Sequence, residues 1–229
     1  MLDGGSETAT VLAITLRVAL GATCLAAPAG IALGHLLARR EFKGKSVLET
    51  CVALPLVLPP TAIGYLLLAL FARNGWLGEQ SLGFDPGVLF TWRAAVLASA
   101  VVALPLVART ARAAFEGVDP RLELMARSLG WTRARTFAAV TLPLARRGLL
   151  AAAALGFGRA LGEFGATVIV AGNIPGRTQT LSLAIFSEIQ LGHTGAALRL
   201  VALTVAVAFA VMWTVERLLR RGGTAERAR

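Results

Sequence analysis

Apolar residues in this chain come in long unbroken blocks separated by short polar stretches. Five blocks stand out, at roughly 10–38, 47–71, 87–107, 148–171 and 196–219. Each is long enough for a membrane-spanning helix, because about 20 mostly apolar residues cross a bilayer core. The first is long enough to tilt or to extend past the membrane. Strict alternation of apolar and polar positions is absent, which argues against a β-barrel. A sixth apolar segment, 180–192, is short and reads as a re-entrant or interfacial helix. The pattern predicts an all-α, polytopic transmembrane bundle of about five spans, one domain over 1–229.

Composition agrees: 56% of residues are hydrophobic and 16% are charged, an apolar excess over ordinary soluble domains. The net charge of +10 would suggest nucleic acid in a soluble protein. Here the cations sit in the short stretches between blocks, so they report topology and no nucleic-acid partner is expected. Arg39, Arg40, Lys43 and Lys45 follow the first block. Arg109, Arg112, Arg121, Arg127, Arg133, Arg135, Arg146 and Arg147 lie between the third and fourth. Arg217, Arg220, Arg221, Arg227 and Arg229 close the chain. The other side carries mainly Arg73, Arg93 and Arg177. Positive loops stay in the cytoplasm, which places the N-terminus outside and the C-terminus inside. The start carries Asp3 and Glu7 and no Lys or Arg, unlike a secretory signal, so the first block reads as a retained span.

The stretch 119–143 has the most local detail. Asp119 followed by Pro120 is a helix start. Leu122, Met125, Ala126 and Leu129 fall on one helical face, with Arg121 and Arg127 away from it. Gly130 suits a left-handed helix end, and Thr132 can cap a second short helix leading to Val140, Thr141, Leu142 and Pro143. The result is a helix–glycine–helix elbow over about 115–145. Two readings are open: a docking element for a partner protein, or an amphipathic hairpin resting on membrane lipid.

Within the blocks, Pro55, Pro59 and Pro60 must disturb the second span, since proline removes a helix hydrogen bond. Broken helices at membrane depth are tolerated where they line a cavity, although a packing kink is also compatible. Arg159 and Glu163 are four apart and share a helix face, as a structural ion pair or a gating element. Gly158, Gly162 and Gly165 permit close helix approach. Arg17 and Arg199 read as buried or snorkelling, His35 as structural, and Cys24 and Cys51 as small buried hydrophobes. Gly44-Lys45-Ser46 ends like a phosphate-binding loop, but Arg39 stands where the first glycine is required. No metal-ligand cluster, nucleophile–base pair or cofactor site emerges, so the chain does not read as an enzyme.

Three stretches resemble a known family. In permeases of ATP-binding-cassette importers, a cytoplasmic coupling motif has Glu-Ala-Ala, three residues, Gly, nine residues, then Ile-x-Leu-Pro. Here Gly130 is followed by nine residues and Val140-Thr141-Leu142-Pro143, while Leu124-Met125-Ala126 replaces Glu-Ala-Ala and Glu123 lies one place early. Leu54-Pro55-Leu56-Val57-Leu58-Pro59-Pro60-Thr61-Ala62-Ile63-Gly64-Tyr65 is the second stretch. Gly158-Arg159-Ala160-Leu161-Gly162-Glu163-Phe164-Gly165-Ala166-Thr167, continuing to Gly172-Asn173-Ile174-Pro175-Gly176 and Thr178, is the third. Together they resemble the molybdate and sulfate permease family, with the compact length favouring molybdate or tungstate.

The resemblance implies a type I importer permease fold in the inner membrane. It implies a homodimer with two ATPase subunits and an extracytoplasmic oxyanion-binding protein. It assigns ATPase coupling to Glu123, Ala126, Gly130, Leu142 and Pro143. It assigns a pore or gate to Pro55, Pro59, Pro60, Arg159, Glu163 and Gly165. Sulfate or thiosulfate is the alternative cargo, and a membrane-embedded enzyme or a scaffold is a remoter one.

Overall fold

The computed structural model describes residues 4–227, with side chains over 6–217. Asp3 and Arg229 lie outside the described residues, as do the side chains of Arg220, Arg221 and Arg227. The described residues are helical and without strands. Helix α1 (Gly4–Arg39) is followed by α2 (Lys45–Val57), α3 (Pro60–Phe71), the short α4 (Glu79–Leu82) and α5 (Trp92–Glu116). The elbow holds α6 (Pro120–Ser128) and α7 (Arg133–Thr136). A π-helical turn (Phe137–Thr141) leads into α8 (Leu142–Leu161), then α9 (Gly165–Ala171), α10 (Leu181–Gln190) and α11 (Thr194–Arg227).

Five crossings match the apolar blocks: α1, the bent pair α2–α3, α5, the continuous run from α7 through α8, and α11. Helix α10, with 10 residues, spans about 15 Å, half of a hydrocarbon core, and so does not cross.

The second block is broken, as its prolines require. Pro55 stays inside α2. The helix ends at Val57, Leu58 turns extended, and α3 restarts at Pro60 with a 109° bend between the two. The fourth block departs from the expected 148–171 at both ends. Its helix starts at Arg133, because Arg146 and Arg147 interrupt the hydrophobicity but not the backbone hydrogen bonding. It then breaks at Gly162 and Phe164 before α9. The second arm of the elbow is therefore no separate short helix but the root of this span. The widened turn at Phe137–Thr141 falls just before Pro143. Proline has no N–H to give and crowds the carbonyl four residues back, and a π-turn relieves that conflict. The third helix likewise overruns the expected 87–107, reaching Glu116.

Helices α1, α5 and α8 form the centre. Ala19, Ala22, Ala26, Ala103, Ala111 and Ala152 are buried between them. Alanine faces let membrane helices approach closely, so dispersion contacts along the seams hold them. A second cluster joins α3 and α9 to α5 through Ile63, Ala98, Val102, Ala166 and Val170. The cysteines are not buried: Cys24 and Cys51 are both exposed on the single chain.

The ends of the bundle differ. One pole gathers Arg39, the elbow and the root of α8, joined by a hydrogen bond from Arg39 Nη2 to the Val118 carbonyl (3.0 Å). The opposite pole gathers the starts of α5, α10 and α11 near the N-terminal part of α1. There the Leu181 N–H donates to Thr15 Oγ1 (2.8 Å) and the Phe90 N–H to the Val170 carbonyl (2.9 Å).

Candidate functional site

The elbow is built by local chemistry. Asp119 Oδ1 accepts from the Arg121 N–H (2.9 Å), and Pro120 occupies the first turn. At the far end, the Gly130 N–H donates to the Arg127 carbonyl (3.0 Å) and the Trp131 N–H to Ala126 (3.2 Å). That pair of bonds is the Schellman arrangement, which needs a left-handed residue, and Gly130 has φ +85°. Thr132 Oγ1 then accepts from the Arg135 N–H (3.3 Å) to open α7, and the Arg135 guanidinium lies 4.6 Å from the Trp131 ring centre.

The apolar stripe of α6 divides. Ala126 turns inward and is 7% exposed, whereas Leu124, Met125 and Leu129 are 61–77% exposed. Leu122 and Leu142 also face outward, and Pro143 is exposed. This apolar surface has no partner among the described residues.

Glu123 points the other way. Its Oε1 receives Arg39 Nη2 at 2.8 Å and the Thr141 hydroxyl at 2.8 Å. Arg39 simultaneously holds the Val118 carbonyl. One carboxylate thus ties α6 to the end of α1 and to the root of α8. Grouped from sequence with residues that meet a partner, Glu123 instead makes its charged contacts within its own chain. The clamp's other half escaped the sequence reading: Arg39 counted only as a topological charge, and no local signal links it to a residue so distant along the chain. His35 lies close by, edge-on to Phe115 (4.9 Å) and Phe137 (4.7 Å).

The two helix breaks meet. A Cβ on Gly165 would lie 3.1 Å from Pro60 Cβ, and one on Gly64 would lie 2.8 Å from the Ala166 carbonyl oxygen. Only glycine at 64 lets α3 lie this close to α9. The junction thereby assembles Pro59, Pro60, Glu163 and Gly165, with Pro55 one turn before the break in α2.

Glu163 is buried, with its side chain 1% exposed. Its Oε2 pairs with Arg159 Nη1 at 2.7 Å, and its Oε1 accepts from the Ala166 N–H at 2.8 Å. The carboxylate therefore closes the break: it satisfies an orphan donor at the start of α9 and a cation at the end of α8. Arg159 is the wetter partner, at 31%. Gly158 and Gly162 are both exposed; among the described residues a Cβ on Gly158 would meet nothing within 4 Å, and one on Gly162 only the Gly158 carbonyl oxygen at 3.9 Å. Pro59 and Thr61 at the break in the second span are exposed as well.

Arg17 is neither buried nor unpartnered, since its guanidinium stacks 3.9 Å from the Trp92 ring centre. Arg199 is exposed.

A family model described as "Binding-protein-dependent transport system inner membrane component" matches residues 27–222. The molybdenum transport system permease protein ModB of Escherichia coli K12 is 44% identical over 210 residues, covering 90% of this chain and 91% of that protein. The sulfate transport system permease protein CysT of the same strain is 35% identical, covering 92% of this chain and 76% of its own length. Among solved structures, a bacterial ABC transporter involved in import of the acidic polysaccharide alginate superposes with a TM-score of 0.78 at 17% identity. That match covers 94% of this chain and 79% of the other. At that identity the likeness speaks for fold alone: all-helical, of the importer-permease type.

Proposed function

The chain belongs to the family of binding-protein-dependent transport-system inner-membrane components, and on that premise we propose that it forms the transmembrane pathway of an ATP-driven molybdate importer. It is a multi-pass inner-membrane permease. The observation that carries the cargo is the alignment with the molybdenum permease, which runs nearly end to end in both proteins at higher identity than that with the sulfate permease. Tungstate shares the chemistry of molybdate, and sulfate is the weaker second reading.

In this proposal two copies enclose the pathway. Pro59, Thr61, Gly158 and Gly162 are exposed on the single chain and Arg159 partly so, and backbone exposed at a helix break suits a water-filled passage. Cations crowd the elbow pole, so that pole is cytoplasmic, the N-terminus external and the C-terminus internal. Two separate ATPase subunits seat on the elbows through Leu124, Met125 and Leu129, with Gly130, Leu142 and Pro143 fixing the shape of the seat and Ala126 packing beneath it. A soluble binding protein delivers the anion at the opposite pole. When ATP draws the ATPases together, the clamp of Arg39, Glu123 and Thr141 carries the displacement into α1 and α8. The junction of Pro59, Pro60, Glu163 and Gly165, held by Arg159, is where those helices bend and the pathway opens or closes.

The test is reconstitution with the cognate ATPase and binding protein in sealed vesicles. Radiolabelled molybdate should accumulate only with ATP. Sulfate accumulation without molybdate would move the cargo to the second reading, and no ATP-dependent flux of either anion would end the proposal.

A further inference from the structure

The pole opposite the elbow holds an open cavity of about 440 Å³ whose charged lining is all of one sign. Arg17 from α1, Arg93 from the start of α5 and Arg177 from loop 172–180 converge on it. No Asp or Glu among the described residues lines it, whereas the cavity beside the elbow has Glu123 and that between α1, α10 and α11 has Glu7 and Glu188. Among the described residues none of the three arginines makes an ion pair. Asp85, close by in sequence, is engaged with the Gly87 N–H at 2.9 Å. We propose that this cavity is a binding site for a tetrahedral oxyanion.

The arginines are positioned, not merely exposed. Arg17 lies over the Trp92 ring at 3.9 Å, and Arg93 lies 5.8 Å from the same ring centre. A cation over an aromatic face keeps its full charge and its outward N–H groups. Arg177 sits on a loop fixed from within. The Arg177, Thr178 and Gln179 N–H groups all donate to the Ile174 carbonyl at 3.0–3.2 Å. Thr178 Oγ1 accepts from the Ile174 N–H at 3.0 Å, and Asn173 Nδ2 donates to Ser187 Oγ at 2.7 Å. The Asn-Ile-Pro-Gly stretch is thus a rigid mount for one guanidinium. The Thr178 hydroxyl is spent on the loop itself, so the ligand is held by the arginines.

Three guanidiniums brought together without a counter-charge repel one another, and that arrangement is relieved by an anion. Guanidinium presents parallel N–H groups matched to the paired oxygens of a tetrahedral oxyanion. Two sources carry that chemistry here: the free cargo anion, or the phosphate of a lipid headgroup at the membrane surface. The first rests on the transport reading, because it needs this pole to face the binding protein.

The experiment uses the nucleotide-free complex of permease and ATPase, delipidated in detergent, with radiolabelled molybdate in equilibrium dialysis. Arg93→Gln combined with Arg177→Gln should weaken binding at least tenfold. Arg73→Gln, at the same pole but paired with Glu79, should stay within twofold of wild type. Wild-type affinity should also fall as salt rises. Native mass spectrometry of complex drawn directly from membranes forms the second arm. A phospholipid retained by wild type, lost in the double variant and blocking molybdate until removed would assign the site to lipid phosphate. The proposal is overturned if the double variant matches wild type in both arms. It is also overturned if only its affinity for the binding protein falls, since the cavity would then read protein carboxylates. Wild-type ATP-driven uptake is scored separately, so failure of transport is distinguishable from failure of this site.

Discussion

Glu123→Gln tests the clamp beneath the elbow. The substitution preserves shape and removes charge. In the native chain one oxygen serves both Arg39 Nη2 and the Thr141 hydroxyl, each at 2.8 Å, with the Arg39 and Glu123 side chains 15% and 22% exposed. An exposed ion pair contributes about 0–1 kcal/mol, and a hydrogen bond to a charged group about 1.5–3 kcal/mol. Partial exposure screens the pair, so its share is about 1 kcal/mol. The glutamine oxygen retains a neutral hydrogen bond of about 1 kcal/mol. The net loss is about 1.5–3 kcal/mol. If the clamp holds α6 against α1 and α8, local opening of α6 becomes easier by that amount. Its amide hydrogens should then exchange roughly ten to 150 times faster, since 1.4 kcal/mol is tenfold. Amides at the centre of α5 should not change. Uptake per ATP hydrolysed should fall at matched permease levels. Arg39→Gln and Thr141→Val should act alike, and combining Arg39→Gln with Glu123→Gln should cost less than the sum of the two. Unchanged α6 exchange in Glu123→Gln, or strict additivity of the pair, would refute the clamp.

Gly130→Val forces a β-branched residue to φ +85° in open space, so the penalty is backbone strain of about 1–3 kcal/mol without a clash. Membrane insertion should be normal, ATPase co-purification weakened and uptake lost, with Gly130→Asn milder because asparagine tolerates this region; undiminished ATPase binding by the valine variant would favour an elbow lying on lipid. At the helix break the two partners are unequal, since Glu163 is buried and Arg159 is partly hydrated. Arg159→Gln strands a buried carboxylate and should lower thermal stability by more than Glu163→Gln, with the double variant resembling the latter; equal losses in all three, read by thermal unfolding of the purified complex, would remove pairing as the reason for these residues. A reporter fused after Arg229 should be cytoplasmic and one inserted at 74–83 external, and the reverse at both sites would invert the topology.

The features legible in the sequence are those written locally. The number of crossings follows from block length, the broken second span from three prolines, and the elbow from an Asp-Pro start and a glycine stop. The pairing of Arg159 with Glu163 follows from four-residue spacing. The break between α8 and α9 was not legible, because no proline marks it; it depends on Glu163 folding back to the Ala166 N–H. The start of the fourth span was missed because hydropathy measures side chains, whereas helix continuity is a property of the backbone. The Arg39–Glu123 clamp joins residues far apart in the chain, and only the packing of α1 against α5 and α8 brings them together. The exposed cysteines had the same cause: an apolar block does not say which face meets lipid or another chain.

The bend between α2 and α3 also bears on how the protein is made. A bilayer receives straight apolar rods readily, but a span interrupted at Leu58 and Pro59 exposes backbone groups that lipid cannot satisfy. The helix that covers α3 is α9, and its first residue leaves the ribosome about 90 residues after Phe71. At roughly 5–20 residues per second the wait is about 5–20 s. Through that interval the nascent second span lacks its mate, so the insertion machinery or an earlier helix must shelter it. The same contact that joins the two helix breaks in the finished molecule therefore sets the most vulnerable moment of its biosynthesis, and substitutions at Gly64 that keep α9 from docking should appear first as chains degraded before assembly.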